Sequence, residues 1–313
     1  MAFDQPAIND LFDRRIEFPD PDAHRRFSRL VGLELVKSRL VKQLSILVNP
    51  DGPQAWAQRH HPGARVLLDY VERRPPLVIL AGDVGTGKTE VSETVGDAVA
   101  RLEKIGVTLY PLSLATRGSG RVGEMTQLVS AAFDQTVAAA QRFKRAGGRA
   151  TGGVILLVDE ADALTQTRED GQMHHEDKAG VNAFIRGVDR LAEQRLPAAV
   201  ILCTNRLSAI DPAVQRRAAE IFEFQRPNDA QRRSVLETAL GDAGFSAADI
   251  GQLVQRTGPT RERPYGFTYS DLTQRLLPTL VLDAYPDGPV TATRALQLVE
   301  TLHPTPPFRD RRT

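Results

Sequence analysis

Residues 82–89 read Gly-Asp-Val-Gly-Thr-Gly-Lys-Thr and fit the pattern G-x-x-x-x-G-K-[ST]. The stretch follows a short apolar run at 77–81 and precedes a segment of helical character at 90–104. In such a strand–loop–helix context, backbone N–H groups surround phosphate oxygens and the helix N-terminus adds the positive end of its dipole. The sequence therefore predicts a phosphate-binding loop at this point of the chain.

Two side chains at the end of this loop carry the expected chemistry. Lys88 is placed to reach the β- and γ-phosphates of a nucleotide, and the Thr89 hydroxyl is placed to bind Mg²⁺. We therefore expect ATP and Mg²⁺ as cofactors. The expected nucleotide contacts in this stretch are Asp83, Val84, Gly85, Thr86, Gly87, Lys88, Thr89 and Glu90.

A second motif lies about 70 residues further on. Residues 154–160 read Val-Ile-Leu-Leu-Val-Asp-Glu, so a hydrophobic strand ends in an acidic pair. Parallel α/β sheets bind ligands at the carboxyl ends of their strands. Asp159 is expected to hold the magnesium ion, and Glu160 is expected to act as the general base on the attacking water.

The next apolar run, at 199–204, is followed by Asn205. An amide at the end of a neighbouring strand can help to orient the water between Glu160 and the γ-phosphate. We therefore include Asn205 among the catalytic candidates.

An arginine pair, Arg216 and Arg217, follows Ile-Asp-Pro-Ala-Val at 210–214. An arginine supplied by a neighbouring subunit can stabilise transition-state charge in phosphoryl transfer. The sequence favours this role for the pair over a solvated charged surface, and it does not decide between the two residues.

The order of apolar runs predicts an α/β fold. Five runs at 77–81, 107–114, 154–158, 199–204 and 221–224 alternate with helical segments at 90–104, 122–145 and 178–193. This alternation predicts a five-stranded parallel sheet with helices on both faces. After Pro227 the strands stop, and helices are expected at 229–240, 246–256, 269–284 and 291–302, with Ser246 and Thr291 as N-caps and a kink at Pro278.

These patterns give four expected regions. Residues 1–28 are predicted to form an N-terminal arm, because Pro6, Pro19 and Pro21 interrupt regular structure there. A large α/β nucleotide-binding domain is expected at 29–226 and a small helical lid at 227–303. Residues 304–313 are predicted to be a disordered tail.

Composition excludes several other classes of protein. The 313 residues include 40 Lys and Arg against 39 Asp and Glu, which argues against a polyanionic partner such as nucleic acid. The single Cys203 excludes an intramolecular disulfide and fits a reducing compartment. The N-terminus has no signal-peptide pattern, and no apolar run reaches the roughly 20 residues needed to span a bilayer. We therefore expect a cytoplasmic location.

The four motifs, in this order and followed by a helical domain, resemble the AAA+ ATPases over residues 30–302. Residues 180–189 (Gly-Val-Asn-Ala-Phe-Ile-Arg-Gly-Val-Asp) and 210–218 (Ile-Asp-Pro-Ala-Val-Gln-Arg-Arg-Ala) further resemble the pachytene-checkpoint type of HORMA-domain remodeller. The resemblance implies a P-loop NTPase module that assembles into a homo-hexamer with ATP sites between subunits. It also implies a HORMA-domain protein as substrate and, in bacterial relatives, a role in antiphage defence through complexes with a cyclic-nucleotide synthase. Val31 and Gly32 precede the first long helix, where AAA+ proteins usually contact adenine.

Two stretches depart from the family pattern. The loop expected to line the central pore contains Arg117, Gly118, Ser119, Gly120, Arg121 and Val122, without the aromatic residue common in AAA+ unfoldases. The start of the lid helix at 266–272 also lacks the family's nucleotide-sensing arginine. Arg275, one turn later, is only a candidate for that role.

Three alternatives remain at this stage. A rubisco-activase-like remodeller would share the chain length and layout. A DNA-associated AAA+ switch is disfavoured because the chain has no basic excess and no appended DNA-reading module. A nucleotide-binding scaffold without hydrolysis is disfavoured because Glu160, Asn205 and the arginine pair are all present.

Overall fold

A computed structural model describes residues 11–72, 74–114, 124–145, 149–164 and 174–308. Its internal contacts divide the chain into two compact units, and neither unit is a single continuous stretch of sequence. The first unit contains Met1–Phe27, Leu35–Ala81 and Thr89–Glu223, and the second contains Ser28–Glu34, Gly82–Lys88 and Phe224–Thr313. The glycine-rich loop is therefore grouped with the C-terminal helices.

Six strands form one sheet in the order β1-β3-β4-β5-β2-β6. They are β1 (Ile16–Phe18), β2 (Leu77–Gly82), β3 (Gly106–Ser113), β4 (Gly152–Asp159), β5 (Ala198–Thr204) and β6 (Glu220–Phe224). The pairs β3–β4, β4–β5 and β5–β2 are parallel, whereas β1 is antiparallel to β3. The predicted α/β class is confirmed, and β1 is an additional edge strand.

The sheet is buried because its strands are almost wholly apolar. Every residue of β5 is buried, and so are residues 152–158 of β4. Strands of a parallel sheet covered on both faces have this composition. Within the sheet, Val154 lies opposite Ala198 and Val158 lies opposite Leu202, so the carboxyl ends of β4 and β5 are neighbours.

Eight helices accompany these strands in the described part of the chain up to residue 226. They are α1 (Pro21–Ser28), α2 (Glu34–Val48), α3 (Gly52–His60), α4 (Arg65–Glu72), α5 (Lys88–Glu103), α6 (Glu124–Gln141), α7 (His174–Glu193) and α8 (Pro212–Gln215). In α7, Phe184, Val188 and Leu191 are buried, and the Phe184 ring lies edge-on to Phe133 of α6 at 5.4 Å between centroids. The apolar face of α7 therefore packs into the core. Among the described helices, none has the length and apolar character that crossing a bilayer requires.

The N-terminal segment is more regular than its prolines predict. Pro19 lies between β1 and α1, and Pro21 is the first residue of α1. The N–H at this position has no partner within a helix, so proline is tolerated there. Asp97 of α5, whose side chain is 1% exposed, accepts hydrogen bonds from Asp20 N at 2.8 Å and His24 Nδ1 at 3.0 Å. It also accepts one from Arg101 Nε at 2.8 Å. A buried carboxylate therefore fixes the segment that we predicted as an irregular arm.

The second unit contains the predicted helices after Pro227. They are α9 (Asp229–Leu240), α10 (Ala247–Thr257), a π-helical segment (Asp271–Leu276) that continues into α11 (Leu277–Ala284), and α12 (Ala292–Thr301). Ser246 and Thr291 accept hydrogen bonds from the helix starts as predicted N-caps. Before Pro278 the chain is wound in π-helical turns, which accommodate the missing proline N–H by a local change in helix type.

The prediction of a disordered tail is wrong for residues 304–308. Thr305 donates from its N–H and its hydroxyl to the two carboxylate oxygens of Asp271, at 3.0 and 2.7 Å. The Phe308 N–H donates to Asp83 Oδ1 at 3.1 Å. These contacts order the segment through backbone hydrogen bonds, which apolar periodicity does not reveal. Residues 309–313 lie outside the described part of the chain.

Replacement of Asp97 by Asn should destabilise the protein. Burial opposes ionisation of Asp97, but hydrogen bonds from Arg101, Asp20 N and His24 outweigh that effect and lower its pKa. A lowered folded-state pKa contributes stability above the unfolded-state pKa of about 4, and this contribution is lost as pH falls through the lowered value. At pH 7 we expect Asp97→Asn to reduce the free energy of unfolding by about 1–3 kcal/mol.

Urea unfolding at pH 7 and at pH values below about 4 provides the measurement, and the difference between the two proteins should shrink at the acid end. Asp22→Asn is the matched control, because Asp22 is exposed and its pair with Arg25 is a surface contact. Identical stabilities of Asp97→Asn and wild type at pH 7 would contradict the assignment.

Candidate functional site

The glycine-rich loop connects the end of β2 at Gly82 to the start of α5 at Lys88. Gly85 and Gly87 have φ values of 74° and 95°, in the left-handed region that glycine adopts without penalty. A Cβ at Gly85 would also lie 2.6 Å from Thr268 Oγ1, so no larger residue fits there. The structure thus supplies the strand–loop–helix geometry that the motif requires.

Lys88 is held inside this loop. Its side chain donates from Nζ to the carbonyl oxygens of Gly82 and Asp83, both at 2.8 Å, and the residue is 6% exposed. Thr86, which is fully buried, donates from its hydroxyl to Asp83 O at 2.7 Å. The carbonyl oxygens compensate for burial of the ammonium group and keep it within the loop.

Thr89 and Asp159, the predicted magnesium ligands, are hydrogen-bonded to each other. The Thr89 hydroxyl donates to Asp159 Oδ2 at 3.1 Å, and the Glu160 N–H donates to Asp159 Oδ1 at 2.8 Å. A hydroxyl and a carboxylate this close together match the hard oxygen ligands that Mg²⁺ prefers. The side chains present therefore fit a magnesium ion held by one carboxylate, one hydroxyl and water.

Glu160 has an unusual backbone conformation. Its φ is 54°, which is uncommon for a residue with a side chain, and the residue is exposed. Strained conformations of this kind concentrate at functional sites, where the surrounding structure holds them in place. This conformation turns the chain sharply immediately after Asp159, the last residue of β4, whose carboxylate accepts the hydrogen bond from Thr89.

Asn205 is positioned by an aspartate that the sequence analysis missed. Asp162 accepts a hydrogen bond from the Thr204 hydroxyl and another from the Asn205 N–H at 3.2 Å. The acidic residue two positions after Glu160 was the available signal, because the chain there reads Asp-Glu-Ala-Asp. The turn after β4 and the turn after β5 are thus hydrogen-bonded to each other, and this fixes the place of Asn205.

The arginine pair divides into two different environments. Arg217 makes a two-pronged pair with Asp189, at 2.8 Å and 3.0 Å, and this hydrogen bonding raises the pKa of Arg217. Arg216, the residue after α8, is exposed, and its Nε donates to Pro212 O of α8 at 3.2 Å. Arg217 therefore joins α8 to α7 of the same chain, whereas Arg216 points its charge toward solvent.

Glu90 has a partner that sequence spacing could not reveal. Arg26 of α1 donates to its two carboxylate oxygens at 2.7 and 2.9 Å, and this pairing raises the pKa of Arg26. We predicted Glu90 as a nucleotide contact, and the structure uses its carboxylate to hold α1 on α5.

Within the second unit, Val31 and Gly32 precede α2 as predicted. The Gly32 N–H donates to Glu34 Oε1 at 2.9 Å, and its carbonyl accepts from Gln231 Nε2 at 2.5 Å. Tyr269, at the start of the lid helix, approaches Gly32 closely: a Cβ at Gly32 would lie 2.7 Å from its hydroxyl oxygen. Sequence reasoning did not identify Tyr269 or Gln231.

Asp83 of the loop pairs with an arginine that the sequence analysis also missed. Arg226 donates from Nε and Nη2 to Asp83 Oδ2 at 2.8 and 2.5 Å, and from Nη1 to Gly266 O at 2.9 Å. Both side chains of this pair are largely buried, at 14% and 18% exposure. The next loop residue, Val84, is 43% exposed. Arg226 lies in no recognisable sequence motif. Its pairing with the distant Asp83 therefore could not be predicted from local sequence.

Arg275 has two partners in the C-terminal region. Its Nη1 donates to Asp271 Oδ1 and to the carbonyl of His303, both at 2.9 Å. Within the described residues these hydrogen bonds give Arg275 a packing role in the helical part.

The pore-loop residues Arg117, Gly118, Ser119, Gly120, Arg121 and Val122 lie outside the described part of the chain, so their predicted role stays a prediction.

Comparison with known proteins agrees with this geometry. The family model described as "ATPase family associated with various cellular activities (AAA)" matches residues 78–226. This match extends from β2 through both acidic residues and the arginine pair to Arg226.

Full-length similarity is more specific. CD-NTase-associated protein 6 from Escherichia coli (strain MS 115-1) is 61% identical over 307 residues, which cover 98% of this chain and 99% of that protein. In the solved E. coli MS115-1 HORMA:CdnC:Trip13 complex, one chain matches with a TM-score of 0.88 and 59% identity, covering 97% of this chain and 100% of that one. A Rhizobiales Trip13 structure matches with a TM-score of 0.75 and 53% identity, covering 95% and 100% of the two chains.

These relatives confirm the resemblance drawn from residues 180–189 and 210–218. The likeness covers the nucleotide-binding and the helical parts alike. With 61% identity over nearly the full length of both proteins, this chain belongs to the CD-NTase-associated protein 6 family of AAA ATPases.

Proposed function

We propose that this protein is an ATP-driven remodeller of a HORMA-domain protein. In this proposal it separates the HORMA-domain protein from a cyclic-nucleotide synthase, in the cytoplasm, as part of bacterial antiphage defence. The observation that carries the ATPase part is the hydrogen-bonded group of Thr89, Asp159 and Glu160, directly after the phosphate loop. The choice of partner is supported by the solved complex of HORMA, CdnC and a Trip13 chain that is 59% identical to this one.

The proposed reaction is transfer of the γ-phosphoryl group of ATP to water. Backbone N–H groups of the loop and Lys88 bind the phosphates. Lys88 also stabilises the negative charge that develops on the oxygens of the γ-phosphoryl group during its transfer. Mg²⁺, held by Thr89 and Asp159, neutralises phosphate charge when bound. Glu160 accepts a proton from the attacking water, and Asn205 helps to orient that water.

A homo-hexamer completes this proposal. Arg217 is committed to Asp189 of its own chain, whereas Arg216 is exposed. We therefore assign Arg216 as the residue that reaches the ATP of a neighbouring subunit, and Arg217 as the residue that holds α8 on α7. An arginine in this role increases phosphoryl-transfer rates by roughly 10³–10⁵ where it has been measured.

Replacement of Glu160 by Gln should abolish turnover and preserve binding. Gln keeps the size of the side chain but cannot accept the proton, so we expect the steady-state ATPase rate to fall by about 100-fold or more. Equilibrium binding of ATP should persist. Glu262→Gln, at an exposed site, is the control and should keep the wild-type rate. Unchanged turnover in Glu160→Gln would remove Glu160 from its assigned role.

Arg216→Ala and Arg217→Ala should have different effects, one on the ATPase rate and the other on the melting temperature. Arg216→Ala should reduce the ATPase rate by about 10³ with little change in melting temperature, because it removes transition-state charge compensation and, within its own chain, only one exposed hydrogen bond to Pro212 O. Arg217→Ala should lower the melting temperature, and Asp189→Asn should reproduce that loss because it breaks the same pair.

Mixed rings test whether Arg216 acts across the subunit interface. Subunits with Arg216→Ala retain Glu160, and subunits with Glu160→Gln retain Arg216, so some sites in a mixed ring contain both intact residues. Mixing the two inactive proteins should restore part of the activity. Absence of any recovery, in rings shown to contain both subunits, would contradict an arginine acting in trans.

The HORMA-domain partner is tested with a trapped nucleotide state. In the native host, tagged Glu160→Gln protein loaded with ATP should recover a HORMA-domain protein. Lys88→Ala protein, which lacks the phosphate-binding ammonium, should recover much less of it. Equal recovery by both forms, or recovery of rubisco or DNA without a HORMA-domain protein, would refute the proposed substrate.

A further inference from the structure

The phosphate loop contains a carboxylate, which has the same sign of charge as the ligand that the loop is expected to bind. Asp83 is the second residue of the loop, and its side chain is 18% exposed. Such a loop attracts anions through its backbone N–H groups and the positive end of the helix dipole. The same field attracts a carboxylate of the loop itself, and that carboxylate repels phosphate groups. Asp83 therefore opposes nucleotide binding unless another group holds and neutralises it.

Four donors hold the Asp83 carboxylate. Its Oδ2 accepts from Arg226 Nε at 2.8 Å and from Arg226 Nη2 at 2.5 Å. Its Oδ1 accepts from the Val84 N–H at 2.9 Å and from the Phe308 N–H at 3.1 Å. All these residues belong to the second unit. The guanidinium supplies a positive charge to the carboxylate, and the four hydrogen bonds fix the direction of the side chain.

Arg226 is itself held in place by contacts other than Asp83. Its Nη1 donates to Gly266 O at 2.9 Å, and its guanidinium carbon lies 5.1 Å from the centre of the Tyr265 ring. A Cβ at Gly82 would lie only 2.1 Å from the carbonyl oxygen of Phe224, which ends β6 two residues before Arg226. The start of the phosphate loop therefore packs against the segment that carries Arg226. Backbone packing as well as side-chain pairing places the guanidinium beside Asp83.

We propose that Arg226 is a positioning residue for nucleotide binding, because its pairing with Asp83 keeps a repelling carboxylate away from the phosphate site. This inference rests on the proposed ATP binding and adds a residue that acts through Asp83 without touching the nucleotide. With Arg226 in place, the net charge of the pair is zero and both carboxylate oxygens are occupied. The loop can then contain an acidic residue and still bind a polyanion.

This role differs from that of a purely structural ion pair. In a structural pair both partners are needed, so loss of both would be at least as harmful as loss of Arg226 alone. In the proposed role, loss of Arg226 is harmful because it leaves an unpaired charge on Asp83. Removal of that charge as well should then repair nucleotide binding.

The test compares Arg226→Ala with the double variant Arg226→Ala/Asp83→Asn, both in the Glu160→Gln background, where bound ATP persists. Affinities are measured by competition with a fluorescent nucleotide in the presence of Mg²⁺. Arg226→Ala should weaken ATP binding by about tenfold, because the unpaired carboxylate repels the phosphates. The double variant should regain most of that affinity, because asparagine keeps the shape of the side chain and has no charge.

The dependence on ligand charge and on salt separates repulsion from damage to the fold. The loss of affinity in Arg226→Ala should be larger for ATP than for ADP, which has fewer negative charges. It should also shrink between about 0.05 M and about 1 M salt, because screening weakens the repulsion. If Arg226→Ala does not fold, Arg226→Gln replaces it in the same comparison, because glutamine keeps much of the side chain and removes its charge.

Arg233→Ala is the matched control. Arg233 belongs to the same unit, and its pair with Glu237 at 3.6 Å is a surface contact on α9. Its replacement removes the same charge from the chain without changing the loop, so ATP affinity should stay at the value of the parent.

Three outcomes would overturn the inference. They are equal ATP affinity of Arg226→Ala and parent, a double variant that binds ATP no better than Arg226→Ala, and a loss that is the same for ATP and ADP and independent of salt. If the parent itself bound no ATP, the proposed function would fail together with this inference. The other outcomes reject the role of Arg226 alone.

Discussion

The hydrogen bond from the Thr89 hydroxyl to Asp159 connects the first turn of α5 to the end of β4, and the expected chemistry depends on it. It exists because the sheet is parallel: β4, β5 and β2 are neighbours in this order, with Val158 opposite Leu202 and Ala81 opposite Thr204, so all three end at the same edge. The residues that follow each strand therefore meet at one edge of the sheet. Asp162 then ties the two turns together through Thr204 and the Asn205 N–H. Strand register thus places the Thr89 hydroxyl, the Asp159 and Glu160 carboxylates and Asn205 at this edge.

Buried carboxylates organise the chain on a larger scale. Asp97 and Asp271 each have a side chain that is 1% exposed, and each accepts hydrogen bonds from a terminal segment. Asp97 receives Asp20 N and His24 from the N-terminal side, and Asp271 receives Thr305 from the C-terminal side. A carboxylate can be buried only if several donors satisfy it, so each one requires its segment to be in place. Polar acceptors thus add to apolar contacts, such as those of the buried Leu11 and Phe12, in holding the ends of the described chain.

The sequence predicts the structural features that depend on local pattern. It does not predict contacts between residues that lie far apart in the chain. The loop from Gly82 to Thr89, the buried strands and the N-caps Ser246 and Thr291 follow from residue types at fixed spacings. The pairs Arg26–Glu90 and Arg226–Asp83 join residues 64 and 143 positions apart, and no periodicity indicates them. For the same reason the Arg26 partner of Glu90 was not foreseen, residues 304–308 were assigned to a disordered tail, and Tyr269 was overlooked. Arg216 and Arg217 are indistinguishable as sequence and become distinct only when Asp189 is seen beside one of them.

The left-handed conformation of Glu160 links catalysis to the evolution of thermal robustness. At a φ of 54°, glycine would be the least strained residue, and asparagine would also be tolerated better than glutamate. Selection for a more heat-resistant protein would therefore favour losing the glutamate side chain at this position. In the proposed role of Glu160 as general base, selection for ATP turnover opposes that change. Relatives that have lost ATPase activity should carry glycine or asparagine at position 160 soon after the loss. The residue at this position would then indicate when a lineage stopped hydrolysing ATP.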